Sequence, residues 1–497
     1  MAIMTRMWLV TLSAWLLPGL LPYILAQGDI PMENLQECIN STDFDPNTDY
    51  FPHKVTVEEA VHFSVEYFNH YKIVRNLEDN QTYVLVQCGA PAPDPPIAEA
   101  AYTVDVPLTQ VALQYSTMEA FFETLGARRV VQAILGTSFS TASCMQDLVD
   151  DGNIIEMDDG QASSNATYVN EQGSLEISPN LTQSFSADTL VGFIGRTPWN
   201  PKTYPFPTVR SSEALEPSRE GLFETVKFYS TFLNKEGRAN ELWDQVQGRL
   251  DCVQANAAQV NLEQGQQTTI LWASYSTFCN AWDVARCGPF YYNDFAEICS
   301  ANLLCAEMGG TYDSPDCASS GRKFMTTQEF VAFGKDADVW IYPQVAVVPI
   351  NDATIFTDEV KAFKSFVGGE LYDTNGGVGW FDQAYIQPDV LIEDFCDLSG
   401  TLDLENGLEY QRKWFRNVFT NDVNTPNPTC DELGGVDTPR ETGGSDCALR
   451  TAFPTETPTI DGFTIDPTEA PSAAGHEGGL VLTVTLTMML VGTSLWW

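Results

Sequence analysis

Histidine is nearly absent: there are four in 497 residues, with His53, His62 and His70 close together near the N-terminus and His476 near the other end. No imidazole cluster is available in the body of the chain for a zinc or copper site, and a Ser-His-Asp or Cys-His arrangement there has no base. GxSxG, GxxxxGK[ST] and CxxC are missing as well, which removes the nucleophile elbow, the phosphate loop and the dithiol redox motif. Basic residues are scarce: 25 Lys and Arg against 67 Asp and Glu give a formal net charge of −42. Nucleic acid and anionic membrane surfaces would be repelled. Carboxylate pairs abound, but nothing singles one out for acid–base work. Positive signs of catalysis are lacking, and the expectation is a non-enzymatic protein with no covalent cofactor.

What is present is ordinary globular composition, 44% hydrophobic, over a length that exceeds what one core usually serves. Arg6, an apolar run from Trp8 to Leu25 and Ala26 make residues 1–26 a secretory signal. Sequons at Asn40, Asn80, Asn165 and Asn180 fit a eukaryotic secretory route; Asn427 is followed by proline and does not count. In that compartment the twelve cysteines read as disulfides, with the pairing open. Leu480–Trp497 is an uncharged apolar tail with no basic cluster behind it, preceded by Ser472, Ala473, Ala474 and Gly475. Two readings stand, a GPI attachment signal or a single C-terminal transmembrane segment. Either places the protein on the extracellular face of the plasma membrane.

The body is organised around Glu216–Glu236, EPSREGLFETVKFYSTFLNKE. Leu222, Phe223, Val226, Tyr229, Phe232 and Leu233 recur at helical spacing and make an apolar face too wide for a surface helix. Such a helix needs cover on more than one side. Segments of similar size flank it, each alternating short apolar runs with helical patterns, so two readings stand on periodicity: α/β with two lobes joined by one long helix, which the resemblance given below favours, or the core helix of one large domain. The expected divisions are an N-terminal lobe with a β-rich extension over 27–215, the inter-lobe helix over 216–236 and a C-terminal lobe over 237–430. A Pro/Thr/Gly-rich stalk without a core would follow over 431–475, and the tail over 476–497.

Within the first lobe, Asp45–Gly89 holds two β-rich runs bridged by NLEDNQT, and Pro91–Pro96 is a stiff break. Val111 and Leu113 begin a strand that passes through Tyr115, Ser116 and Thr117 into a helix, with Ser116 or Thr117 as the expected N-cap. Asp158–Thr182, rich in Ser, Asn, Gly and Gln, reads as a surface insertion. In the second lobe Thr268–Tyr275, TTILWASY, repeats the strand ending in an aromatic-hydroxyl loop. Trp282 follows, then a cysteine-rich stretch between Cys279 and Cys317, and a glycine-rich loop presenting Trp380 and Phe381. Ligands of open α/β sheets sit at the carboxyl ends of strands, and aromatic rings there can stack on a bulky ligand.

Several stretches, in order, resemble the substrate-binding proteins of ABC importers, in particular the helical-backbone class that carries ferric siderophores and cobalamin. They are DYFPHKVTVEEAVHFSVEYFNHYKIV and YVLVQCGAPAPDPP, VDVPLTQVALQYSTMEAFFETLGA, the helix at 216–236, ADVWIYP, and QPDVLIEDF at Gln387–Phe395. The resemblance covers roughly Asp45 to Phe419 and extends to the surface-anchored ferrichrome-binding proteins of diatoms. It departs from the bacterial pattern where Gly221 is followed by Leu222 with Arg219 two positions earlier, and where cysteines crowd the region after Tyr275.

The resemblance implies a ligand cleft between two α/β lobes with little hinge motion, and a cell-surface protein that captures a ferric hydroxamate siderophore for iron uptake. Tyr115, Ser116 and Thr117 would meet Trp272, Tyr275, Trp282, Trp380 and Phe381 across it, with Arg210 as a partner for oxygen-rich groups. No protein metal site is implied, since the siderophore holds the iron. The uptake partner is open. The alternatives are another bulky ligand (cobalamin or haem), direct ferric-ion binding by Tyr and carboxylates, and a structural surface glycoprotein.

Overall fold

Ser218 accepts a hydrogen bond from the Gly221 amide and so caps a helix, α3, that runs Arg219–Leu233; such a cap contributes about 1 kcal/mol. Every residue of α3 except Glu220 is buried, and Asn234 ends it with a left-handed φ of 56°. A second helix, α4, starts two residues later and covers Glu236–Gln264, with Leu242, Trp243, Val246, Leu250, Val253 and Val260 buried along one stripe. The strut expected at 216–236 is therefore a buried helix with a sharp exit into a longer, half-exposed one.

The computed structural model describes residues 34–135, 140–157, 167–169, 175–177, 190–195, 206–307, 317, 322–343, 350–374, 379–380, 382–403, 410–420 and 428–450. The signal, most of the expected insertion, Asn165, Asn180 and Phe381 lie outside these residues, as does the whole of a second unit, Thr451–Trp497, which contains the expected anchor.

Ahead of α3 lie two sheets. The first takes β1 (Phe63–Tyr67), β2 (Tyr71–Asn76), β3 (Gln81–Gln87) and β4 (Ala100–Val106) in that order, antiparallel except for β3 with β4. It lies on α3, where the segment leading into β1 and Lys72 of β2 bring buried charges to their partners. Glu224 accepts from the amides of Glu58, Glu59 and Ala60 at 2.7–2.8 Å. Lys72 donates to the Thr231 carbonyl and Asn234, and its ammonium stands 2.6 Å from Glu236, all fully buried.

The second sheet is wholly parallel, in the order β11 (Thr208–Ser211), β10 (Val191–Gly195), β5 (Val111–Leu113), β6 (Val131–Leu135), β7 (Ile155–Met157). Helix α1, Ser116–Thr124, follows β5, and α2 covers Ser143–Asp150. Two short strands, β8 (Thr167–Val169) and β9 (Leu175–Ile177), pair within the inserted segment. The α1 cap differs from the expectation: Tyr115 is the N-cap and no side chain caps it, because Thr117 Oγ1 instead donates to Glu213 at 3.1 Å.

Beyond α4 a mixed sheet is centred on β12 (Thr269–Ser276). On one side lie β13 (Ala281–Val284) and β15 (Lys323–Met325), antiparallel; on the other β16 (Val339–Tyr342) and β17 (Leu371–Asp373), parallel, with β18 (Arg416–Asn417) at the edge. A short β14 (Asn302–Leu304) also pairs with β12. Helices α5 (Tyr291–Ile298), α6 (Thr327–Gly334), α7 (Asp358–Lys361), α8 (Lys364–Gly368) and α9 (Pro388–Ser399) cover its faces. The fold is thus mixed α/β, with a sheet-containing lobe on each side of α3 and one continuous core running through that helix. A second core lies between β12, β13 and β16 and helices α6 to α8.

All twelve cysteines are paired: Cys38–Cys88, Cys144–Cys430, Cys252–Cys447, Cys279–Cys317, Cys287–Cys305 and Cys299–Cys396. Two of these correct the expected stalk. From Thr429 to Arg450 the chain is a strap across the body, tied to α2 by Cys430 and to α4 by Cys447. Between the ties Arg440 is buried 3.4 Å from Glu123 of α1, and Ser445 donates its amide to Glu393 of α9 at 2.9 Å. Its Pro/Thr/Gly composition means that it has no core of its own, while its backbone and arginine find partners on both lobes. Among the described residues no helix is long and apolar enough to cross a membrane.

Candidate functional site

Alternation along β12 decides which side chains reach the open face of the second lobe's sheet. Leu271 and Ala273 enter the core against α6 to α8, with Tyr275 packed on it, while Trp272 and Ser274 point the other way. The antiparallel register carries the same division onto β13. Ser274 lies opposite Asp283 on the open side, and Tyr275 opposite Trp282 on the core side. Trp282 has no exposed surface and stacks on Phe330 with ring centroids 4.0 Å apart.

The open side is a cavity of about 270 Å³. Trp272 and Trp380 form its aromatic wall, with ring centroids 6.3 Å apart, and Tyr291 and Tyr292 at the start of α5 continue it at 5.8 Å from Trp272. Two arginines line the same space. Arg322 pairs with Asp283 at 2.8 Å, and the Arg286 guanidinium lies over Phe290, 3.8 Å from the ring centroid. Burial pushes the Asp283 carboxyl up, with the two guanidinium groups opposing. Burial also pushes the Tyr291 hydroxyl up to about 12, so it is a hydrogen-bond donor at neutral pH.

Arg219, the first residue of α3, lies behind this wall. Its guanidinium carbon is 4.5 Å from the Tyr291 ring centroid, 5.1 Å from Tyr385 and 5.7 Å from Trp380. It is 4% exposed, and its Nε and Nη1 have no hydrogen-bond partner.

Of the residues singled out in the sequence, the structure brings Trp272 and Trp380 together at this cavity. Tyr275 and Trp282 belong to the opposite face of the same hairpin, and the Tyr275 hydroxyl donates to Asn280 at 2.6 Å. Tyr115, Ser116 and Thr117 do not line the cavity. Tyr115 packs over Gly195, where an added Cβ would come within 2.3 Å of its ring, and Thr117 holds Glu213 at the seam between the lobes. Arg210 turns towards Asp79, 3.9 Å away, where the first two sheets meet. Phe381 lies outside the described residues. All eleven lining residues come from 272–380, so among the described residues the cavity belongs to the second lobe alone.

Asp283, Arg286, Tyr291, Tyr292 and Arg322 escaped sequence reasoning. The strand period from Trp272 to Ser274 and across to Asp283 would have found the first. The cysteine-rich stretch that hides the rest gives no periodic signal. Among the described residues no group of three or more His, Cys, Asp or Glu is placed to hold a metal ion.

No family model matches this chain, and no curated protein does. Among solved structures it is similar to a possible iron-binding periplasmic solute-binding protein from Staphylococcus epidermidis, at 11% identity and TM-score 0.38, covering 59% of this chain and 98% of that one. A periplasmic haem-binding protein from Pseudomonas aeruginosa matches at 10% identity and TM-score 0.41, over 64% and 99%. FhuD2 from Staphylococcus aureus with bound ferrioxamine B matches at 11% identity and TM-score 0.38, over 59% and 100%.

Proposed function

We propose that this chain is a cell-surface binding protein that takes up a ferric siderophore at the Trp272–Trp380 cavity and delivers it to an iron-uptake route. The observation that carries the reading is the cavity itself: two tryptophans and two tyrosines wall one side, and paired or stacked arginines line the same space. Bulky small-molecule sites are concave, mostly aromatic or apolar, and carry few convergent polar groups. At about 270 Å³ the described part of the cavity is slightly below the usual range for a whole ligand, so a chelate of siderophore size projects from it. The ordered resemblance from Asp45 to Phe419, with diatom ferrichrome-binding proteins as its eukaryotic form, supports the same reading.

In this reading the ligand brings its own iron and the protein supplies stacking and hydrogen bonds. Residues 1–26 direct the chain to secretion, Asn40 and Asn80, both exposed, carry glycans, and the tail anchors the protein facing outward. The test is titration of the purified protein with ferrichrome, ferrioxamine B, haemin and cobalamin while tryptophan fluorescence is followed. Saturable quenching by a ferric siderophore, without a response to its iron-free form, is the expected result. A response to haemin or cobalamin alone would replace the cargo. Silence towards all four from folded protein would leave direct ferric-ion binding and the structural-glycoprotein alternative.

A further inference from the structure

The cavity assigned above sits in front of a buried cation, Arg219, that makes no ion pair among the described residues. Arg219 is the first residue of α3, where the helix dipole is positive and a cation is electrostatically misplaced. Among the described residues no carboxylate lies within ion-pair distance of it, and two of its nitrogens are buried without a hydrogen-bond acceptor. The acids that feel its charge, Glu220 and Asp294, are both pushed up by burial, Asp294 to about 7, so Asp294 carries only part of a charge at neutral pH. A buried, unpaired charge is strongly destabilising. The rings of Tyr291, Tyr385 and Trp380 recover part of that through cation–π attraction. Two of these rings, Tyr291 and Trp380, also line the cavity. The cavity thus has Arg219 behind its wall and Arg286 and Arg322 lining it, against Asp283 as the one acid among its described lining residues. In a chain of net charge −42, the described residues at and behind this wall thus carry the opposite sign.

We propose that Arg219 sets the charge specificity of the site: the ligand is an anionic, oxygen-rich ferric chelate rather than a neutral or cationic one, and its negative charge supplies the compensation that Arg219 lacks. This rests on the siderophore reading of the cavity and departs from the hydroxamate class that the resemblance implies. Arg219 is a positioning residue here. It acts through the rings in front of it and through its field in a low-dielectric wall, while Arg286 and Arg322 face the ligand.

The experiment titrates the full-length protein with an anionic ferric tris-catecholate, with neutral ferrichrome and with cationic ferrioxamine B. Arg219→Met, Arg219→Lys and Arg322→Gln are titrated alongside, with a thermal melt for each. The wild type is expected to prefer the tris-catecholate by roughly tenfold or more, the scale of a charge contact in a partly desolvated site. Arg219→Met should abolish that preference while leaving the affinity for ferrichrome, and Arg219→Lys should restore it. Arg322→Gln should weaken the tris-catecholate selectively, which keeps the test intact if Arg219→Met does not fold. Equal binding of the three chelates, or preference for ferrichrome or ferrioxamine B, overturns the charge inference and leaves the siderophore reading standing. An Arg219→Met protein that melts lower with its selectivity unchanged reduces Arg219 to a packing cation. If none of the chelates binds, the reading of the cavity and the inference both fall.

Discussion

Trp272 and Trp380 lie with ring centroids 6.3 Å apart and planes inclined at 39°, one on the central strand β12 and the other on the loop before α9. Each is only 4% exposed, so the residues that wall the cavity are also part of the main core. Truncation to alanine therefore removes structure as well as contact, at about 3–5 kcal/mol for a buried tryptophan. The informative change is Trp380→Phe. It is expected to keep the melting temperature within a few degrees and to weaken ligand binding several-fold, as read by fluorescence titration against an unchanged far-ultraviolet dichroism spectrum. Unaltered affinity would place the ligand elsewhere.

A second prediction concerns the fully buried pair Lys72 and Glu236 at 2.6 Å, which joins β2 to the start of α4. Lys72→Met leaves the Glu236 carboxylate buried without its cation and is expected to cost about 3–5 kcal/mol. Replacing both, as Lys72→Met with Glu236→Leu, should recover most of that loss. Chemical denaturation of the single and double variants measures the difference. A double variant as unstable as the single one would show that the hydrogen bonds of Lys72 to Thr231 and Asn234 matter more than its charge.

The strap gives the third. Cys144–Cys430 closes a separation of 286 residues, although the other bridges shorten the loop actually freed when it is cut. Cys144→Ala with Cys430→Ala should lower stability by about 2–4 kcal/mol. The same double variant should make the strap between Thr429 and Cys447 sensitive to limited proteolysis, since with Cys252–Cys447 intact its ties ahead of that bridge are hydrogen bonds and ion pairs. Wild-type resistance in that variant would mean that Arg440, Ser445 and the Cys252–Cys447 bridge hold the strap without Cys430.

Stability should also fall as pH rises through neutrality. Burial pushes Asp294 and Glu393 up to about 7. Between their unfolded values near 4 and 7 the native state holds protons that the unfolded chain has lost. Their contribution is complete below the lower limit and disappears as pH passes 7. Buried Glu119 and Glu213 shift the same way. Lys413, pushed down to about 8 by burial, acts with opposite slope but only above that pH. The melting temperature at pH 5.5 should exceed that at pH 7.5, and Asp294→Asn with Glu393→Gln should flatten the difference. A melting temperature that rises from 5.5 to 7.5 would contradict this.

The strut was legible because its apolar residues recur too densely for a surface helix, a signal independent of tertiary context. The strands at 111–113 and 269–276 were legible as short runs of definite period, while the segment at 387–395 stood out only through the resemblance. The site was half legible. Trp272 and Trp380 could be picked out as loop and strand-end aromatics, but so could Trp282, and aromaticity alone does not say which face of a hairpin a ring takes. Counting residues along β12 does, since one step from Ser274 to Tyr275 moves the side chain from the cavity to the second core. Arg286 and Arg322 had no periodic context, being positioned by Phe290 and Asp283 across a bridged loop. The strap was misread because low-complexity composition reports on local folding and is silent about docking to a body that already exists.

Only Cys38–Cys88 joins cysteines that are neighbours in sequence; each of the other five bridges skips at least one intervening cysteine. If the chain is exported as proposed above and emerges into an oxidising lumen, Cys144 and Cys252 appear long before Cys430 and Cys447, and the thiols that arrive in between are all wrong partners for them. Oxidation in order of appearance would trap non-native bonds, and the native set requires exchange through free thiolates after the last segment has arrived. Biosynthesis of this protein therefore depends on disulfide isomerisation late in maturation, and a host compartment that oxidises without reshuffling will yield scrambled material.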